Sequence, residues 1–390
     1  MTSVDPIGLR SRVDGHNFSY LRCGDAIQVF DSNGAQLTRH PDLFFQDGSL
    51  IIQAETMLFK IHWSQLARHS ELFRDVFSLP QPPNDRPRGP SVGPVDVAED
   101  CENCPVVILH DSAEDVASFL AALYDGCTFG NNGREDFAVV AGILRLSTKY
   151  LVDHLRDKAL AHLSIAWPST LRGWDAREEI ARAFELQTST SGGHFYPSPI
   201  TVINLAREVN APQLLPSAFY DLARYTYAQI YEPAPDEPLY QLPGTASLSP
   251  LDMQRLSLGK EAAQVAITTL IQSMGHAQTA QRQTHAHFRK NSTGLICLSA
   301  AACRKDFAEL TQLATSHYIF DRERGQSDPL YVSEEVGQLK SAELSECKAC
   351  ARSLERWAAA ERAKIWHMIN VWFRLELPVD RPSSPASPTQ

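Results

Sequence analysis

The β-prone residues of this chain are gathered ahead of residue 110, and almost every periodic segment after it repeats with the spacing of a helix. Leu43-Phe44-Phe45-Gln46 and Ser49-Leu50-Ile51-Ile52-Gln53 flank Asp47-Gly48, a dipeptide suited to a type I′ turn, so a hairpin is expected there. Leu58 to Ile61 adds a short strand, and Pro105 to Leu109 reads as a buried one. Between them, Trp63 to Arg68 and Ser70 to Phe77 read as short helices. In the second, Ser70 can cap the first turn, and Leu72, Phe73, Val76 and Phe77 share a face. Ser112 opens a helix with Val116, Phe119, Leu120, Leu123 and Tyr124 at i, i+3, i+4, i+7 and i+8, which Gly126 closes. Helices over Glu135–Tyr150 and Leu151–Ala166 follow, ended by Trp167-Pro168. Strands first and helices afterwards is an α+β order, not the alternation of a parallel α/β sheet.

The rest of the chain predicts helices over Trp174–Leu186, Thr201–Val209, Ala218–Tyr231, Pro250–Met274, Ala301–His317 and Ser345–Phe373. Residues 79–104 carry Pro80, Pro82, Pro83, Pro87, Pro90 and Pro94, which fits an exposed insertion. The expected organisation is a partly disordered segment at 1–37, a domain of a small sheet with a cluster of helices at 38–166, an all-α domain at 167–377 and a disordered tail at 378–390. With 390 residues and 43% apolar composition, two cores are affordable in length and in material. A formal net charge of −10 opposes direct binding to nucleic acid, which rests on clustered Lys and Arg. No apolar run is long enough to cross a bilayer and no signal-peptide pattern opens the sequence, so a cytoplasmic or nuclear protein is expected, without membrane contact.

The segment His62-Trp-Ser-Gln-Leu66-Ala67-Arg-His-Ser70-Glu-Leu-Phe73-Arg-Asp-Val-Phe77 resembles the BTB/POZ family, whose members carry H-x3-L-A-x2-S-x2-F-x3-F at this place. Val107-Ile-Leu-His-Asp111, followed by a helix ending Phe119-Leu-Ala-Ala-Leu-Tyr124-Asp-Gly126, is similar to the family's next strand and helix. More narrowly, residues 40–82 look like BTB proteins of basidiomycete fungi, as do Thr170–Asp175, Ile203–Val209 and Ser249–Asp252 farther on. The resemblance implies a BTB/POZ fold and protein–protein interaction: self-association as a homodimer, or recruitment of a cullin scaffold or a transcriptional corepressor. Members that bind cullin carry an apolar-x-Glu triplet ahead of the strand at 105–109, and Val97-Ala98-Glu99 fits it. No Kelch, MATH or zinc-finger array accompanies the domain, so neither the substrate-receptor nor the DNA-bound repressor architecture is complete.

Candidate chemistry is sparse. Eight cysteines in a chain without a secretory pattern read as reduced thiols or metal ligands. Cys347-Lys-Ala-Cys350 has zinc-ligand spacing, and with Cys297 and Cys303 could form a four-cysteine site. Against this, Cys347, Cys350, Leu354 and Trp357 continue one helix face, so buried thiols without metal explain them, and that reading is preferred. The Cys101/Cys104 pair reads as thiols at the edge of the insertion. His62 reads as a hydrogen-bonded structural residue, and His276, His285 and His287 as part of a solvated Gln-rich stretch. Ser257-Leu-Gly-Lys260 has the S-x-x-K form of some acyl-transfer enzymes, but nothing accompanies it. G-x-S-x-G, H-E-x-x-H and both Gly-rich phosphate motifs are missing from the sequence. No enzyme and no cofactor are therefore expected. Leu354, Trp357, Ile365, Met368, Ile369, Trp372 and Phe373 form a stripe expected to pack inward.

Overall fold

The structure is a computed structural model and describes residues 11–12, 19–23, 26–31, 33–78, 104–188, 195–235, 237, 239–240, 247–274, 299–318, 324–342 and 347–375. The chain divides into two compact units, Met1–Leu163 and Ser164–Gln390. The insertion at 79–103 and the tail at 378–390 lie outside the described residues, together with Val97, Glu99, Cys101, His276, His285, His287 and Cys297.

The first unit combines a sheet with helices. Its strands are β1 (Ser11–Arg12), β2 (Ser19–Cys23), β3 (Ala26–Phe30), β4 (Gln36–Phe44), β5 (Leu50–Ala54), β6 (Met57–Ile61) and β7 (Val106–Leu109), in the spatial order β1-β2-β3-β4-β6-β5-β7. Strands β1 to β4 pair antiparallel in succession, which extends the sheet into the segment 1–37 that was expected to be partly disordered. Strand β4 then runs parallel to β6, and β7 parallel to β5.

This pairing corrects the expected hairpin. Asp47-Gly48 does not join paired strands, because β6 lies between β4 and β5; Gly48 N–H closes a local turn onto Phe45 O at 3.1 Å. The hairpin is one turn later, where Ala54 faces Met57 across Glu55-Thr56 and Glu55 adopts φ +50°. Burial decides the matter: all five residues of β5 are buried, and it takes an inner place in the sheet between β6 and β7, where both its edges are paired. Gly48 is needed for another reason, since a Cβ there would lie 2.8 Å from Lys60 Cγ and 3.0 Å from the Lys60 backbone.

Pro41 lacks an N–H, and the β4–β6 register shifts between Arg39 and Phe44. His40 Nδ1 accepts from the amides of Asp42 (3.2 Å) and Leu43 (3.1 Å) in that shift. Strand β7 is not the buried strand expected: it is the last in the sheet, and Ile108 is 42% exposed.

Among the described residues five helices accompany the sheet: α1 (Trp63–His69), α2 (Glu71–Ser78), α3 (Ala113–Tyr124), α4 (Phe137–Lys149) and α5 (Asp153–Ala166), the last crossing the division in its final turn. Ser112 caps α3 by accepting from Asp115 N, and Gly126 leaves it at φ +88°. Val116, Phe119 and Leu120 of α3, with Val140, Ile143 and Leu144 of α4, are buried. Each such side chain stabilises the fold by roughly 1.5–3 kcal/mol. Gly142 lets α3 and α4 approach, for a Cβ would meet Asp115 Oδ1 at 2.5 Å.

The second unit is helical among the described residues: α6 (Leu171–Thr188), α7 (Pro199–Glu208), a 3₁₀ turn at Pro212–Leu214, α8 (Leu215–Ala223), α9 (Tyr227–Tyr231), α10 (Pro250–Ser273), α11 (Ala300–Tyr318), α12 (Pro329–Ala342) and α13 (Lys348–Trp372). The single helix expected over 218–231 is two, because Thr226 starts a new one with a capping box to Gln229. Helix α12 was not expected. The stripe of α13 is corrected at one position: Met368 is exposed and Trp366 is buried.

Candidate functional site

The family-like residues of the first unit fall into two hydrogen-bonded groups. Tyr124 Oη, at the end of α3, accepts from the His62 amide at 2.9 Å and lies 3.0 Å from His62 Nδ1; His62 Nε2 lies 3.2 Å from Asp47 Oδ2. A proton on Nε2, with the tyrosine hydroxyl donating to Nδ1, satisfies every atom. The hydrogen bond from His62 lowers the pKa of Asp47, while burial raises that of Tyr124. Phe45 stacks on Tyr124 with ring centres 4.8 Å apart. The imidazole is thereby fixed between a turn and a helix end, in a positioning role.

The second group converges on Tyr150, at the end of α4. Ser70 Oγ caps α2 by accepting from Phe73 N (3.1 Å) and donates to Tyr150 O (2.5 Å). The Tyr150 hydroxyl donates to Asp111, whose other oxygen takes Lys149 Nζ at 2.6 Å. Phe73 packs on the Tyr150 ring at 5.0 Å. Burial, then Asp111, raises the tyrosine pKa, so the phenol stays a donor. Leu66 is buried and Ala67 half-buried, as inward-facing residues of α1. The motif therefore ties α1 and α2 to α3 and α4. Tyr150 and Asp47 were missed by sequence reasoning; nothing in a lone Tyr or a turn Asp signals such a partner.

What the motif leaves outward is apolar. Trp63 is 49% exposed and Val76 43%, contrary to the inward face expected of Val76. Trp63 packs edge-on against Phe77 at 5.8 Å, so α1 and α2 share one exposed surface. Strand β7 has no strand on its outer side among the described residues.

The second unit holds a buried ionic network. Arg177 donates to Asp221 (2.7 Å) and Glu178 (2.8 Å), and Arg224 to Glu178 (2.7 Å) and Asp221; Asp328 accepts from Tyr220 (2.6 Å) and Arg324 (3.2 Å). The Arg177 guanidinium lies over the rings of Trp167, Trp174 and Tyr196 at 4.8, 4.7 and 4.4 Å. Burial opposes ionisation of Asp221 and Asp328, but Arg177 and Arg224 outweigh it at the first, and Arg224 and Arg324 at the second, so both pKa values stay below the ordinary carboxylate value. A cleft of about 680 Å³ opens beside this network, lined in part by Arg182, Phe195 and Gln229. These residues carried no motif and were not singled out.

The S-x-x-K pair has local uses. Ser257 Oγ donates to Met253 O (3.0 Å) in its own helix, and Lys260 Nζ to Ala223 O (2.8 Å) and Tyr225 O (2.5 Å), capping the end of α8. Burial brings the lysine pKa down to about 8. Of the four-cysteine group, Cys303, Cys347 and Cys350 come together, their sulfurs all within 4.8 Å of one another. Cys104, by contrast, donates to Gly48 O at 3.4 Å, in the first unit.

No protein-family model matches this chain. No match was found among curated proteins either. Among the described residues, no helix is long and apolar enough to cross a membrane.

Proposed function

We propose that this chain is a protein-interaction protein of the BTB/POZ class and that its first unit associates with a second copy of itself. One observation carries the reading: the exposed apolar surface of α1 and α2, formed by Trp63, Val76 and the half-buried Phe77. Tryptophan is the residue type most enriched among those that dominate binding energy, and a partner that buries it recovers more than a scattered exposed side chain would. The hydrogen-bonded groups around Tyr124 and Tyr150 support the same reading, because they hold both helices from behind and present the surface ready-formed, at little ordering cost. The exposed edge of β7 offers a second means of contact, by strand addition. A cullin scaffold or corepressor would be a further partner of the same domain, and protein rather than nucleic acid suits the net charge of −10.

Sedimentation equilibrium of the full chain tests this. The expected result is a dimer, converted to monomer by Trp63→Glu with Val76→Glu. A wild-type chain that stays monomeric at about 100 μM, where even a weak interface is populated, rules the proposal out.

A further inference from the structure

We propose that Cys303, Cys347 and Cys350 bind one zinc ion in the second unit. The chain holds eight cysteines among 390 residues, yet three of them, from two helices far apart in sequence, place their sulfurs within 4.8 Å of one another. Cys303 lies in the first turn of α11; Cys347 is the residue before α13 and Cys350 lies in its first turn. The C-x-x-C spacing at a helix start turns both thiols of that pair to one side, where the third meets them. Partial positive charge at two helix N-termini favours the thiolate form that a metal needs.

The distances suit a metal. Zinc–thiolate bonds are about 2.3 Å, which puts the sulfurs of a tetrahedral site about 3.8 Å apart, so the trio needs to draw in by no more than about 1 Å. Small rotations about χ1 supply that. Ordinary core packing accounts for the burial of Cys303 and Cys350 beside Ile267, Met274, Phe307 and Leu354, but it does not call for three thiols to converge on one point of the cluster. Soft thiolate donors select zinc over magnesium or calcium. Three thiolates leave one position of a tetrahedral ion for water or an added ligand. The ion would join the starts of α11 and α13, so its binding free energy would become folding free energy of this unit.

The test uses the full chain, purified reduced from zinc-supplemented cells without chelator, with metal measured by mass spectrometry. About one zinc per chain is expected. Cys347→Ser, at the half-exposed position, should lower the content at least about tenfold while circular dichroism stays helical; Cys104→Ser and Cys127→Ser should leave it unchanged. Cobalt loaded in place of zinc should show thiolate-to-metal charge transfer, lost in Cys347→Ser. Wild-type chain that holds less than about a tenth of an equivalent after dialysis against micromolar zinc overturns the proposal, as does a Cys347→Ser, Cys350→Ser chain that keeps its zinc and its cobalt charge-transfer band.

Discussion

The hydroxyl of Tyr124 shows how much one atom can organise. It meets the backbone and ring of a histidine 62 residues away and so joins the end of α3 to the start of α1. Removing it leaves the His62 amide and Nδ1 without that partner in a half-buried place, which costs about 1–3 kcal/mol, more than the mean worth of one hydrogen bond. Tyr124→Phe should therefore destabilise the first unit by that amount with the fold retained. Hydrogen exchange of the β5 and β6 amides in urea checks this; unchanged protection would refute it. His62, Tyr124, Ser70 and Asp111 were all legible in the sequence as motif positions, but their partners were not. Tyr150 and Asp47 take part through geometry that only the folded backbone supplies, since each lies far along the chain, or in a turn, from the residue it holds.

Among elements, α10 and the residue following α13 approach closely at a glycine. A Cβ on Gly259 would lie 2.0 Å from the Phe373 ring, which is fully buried and packs on Phe219 at 5.4 Å. Alanine is better than glycine inside a helix by about 1 kcal/mol. Overpacking costs about 1–3 kcal/mol and more where a rigid ring cannot turn aside, so the clash wins. Gly259→Ala should lower the unfolding midpoint, and Phe373→Leu in the same chain should recover part of the loss; full additivity of the two would argue against contact between them. Local patterns failed where a competing element decided the outcome. Asp-Gly looked like a hairpin, but the apolar run of β5 took an inner place between β6 and β7, and the hairpin formed at Glu55-Thr56 instead. Helix α12 had a readable start, Asp328 before Pro329, with Asp328 accepting from Tyr331 N at 3.0 Å. Its Val332, Val336 and Leu339 fall at i, i+4 and i+7 on one face, a short stripe that the sequence reading passed over. Helix α3 was legible from both ends because its cap, its periodicity and its closing glycine all agree.

At the scale of the molecule, two units of different construction share one chain, and pH should separate them. Asp221 and Asp328 are ionised in the fold at pH values where their unfolded counterparts take up protons. The stability this gives is complete above the ordinary carboxylate value and is lost as pH falls through it and through the lower folded values. Lys260 acts in the same direction at higher pH: its pKa of about 8 lies below the usual 10.5, so the second unit should gain stability as pH rises between the two. Trp167, Trp174, Trp357, Trp366 and Trp372 all belong to the second unit and only Trp63 to the first, so tryptophan fluorescence follows the second. Urea midpoints read by fluorescence should fall from about pH 5 to 3 and rise between about pH 8 and 10, the rise being absent in Lys260→Met. A flat profile across both ranges would contradict these assignments.

Strand β7 joins the sheet beside β5 although 27 residues separate Ser78 from Val106 along the chain. Closing such a span grows in cost only with the logarithm of its length, by about 0.6 kcal/mol for each doubling. The sheet is thus nearly indifferent to how much sequence passes between these two fixed ends. Lineages could lengthen, shorten or rewrite that stretch without refolding the domain, and an experimenter could graft a label there on the same terms.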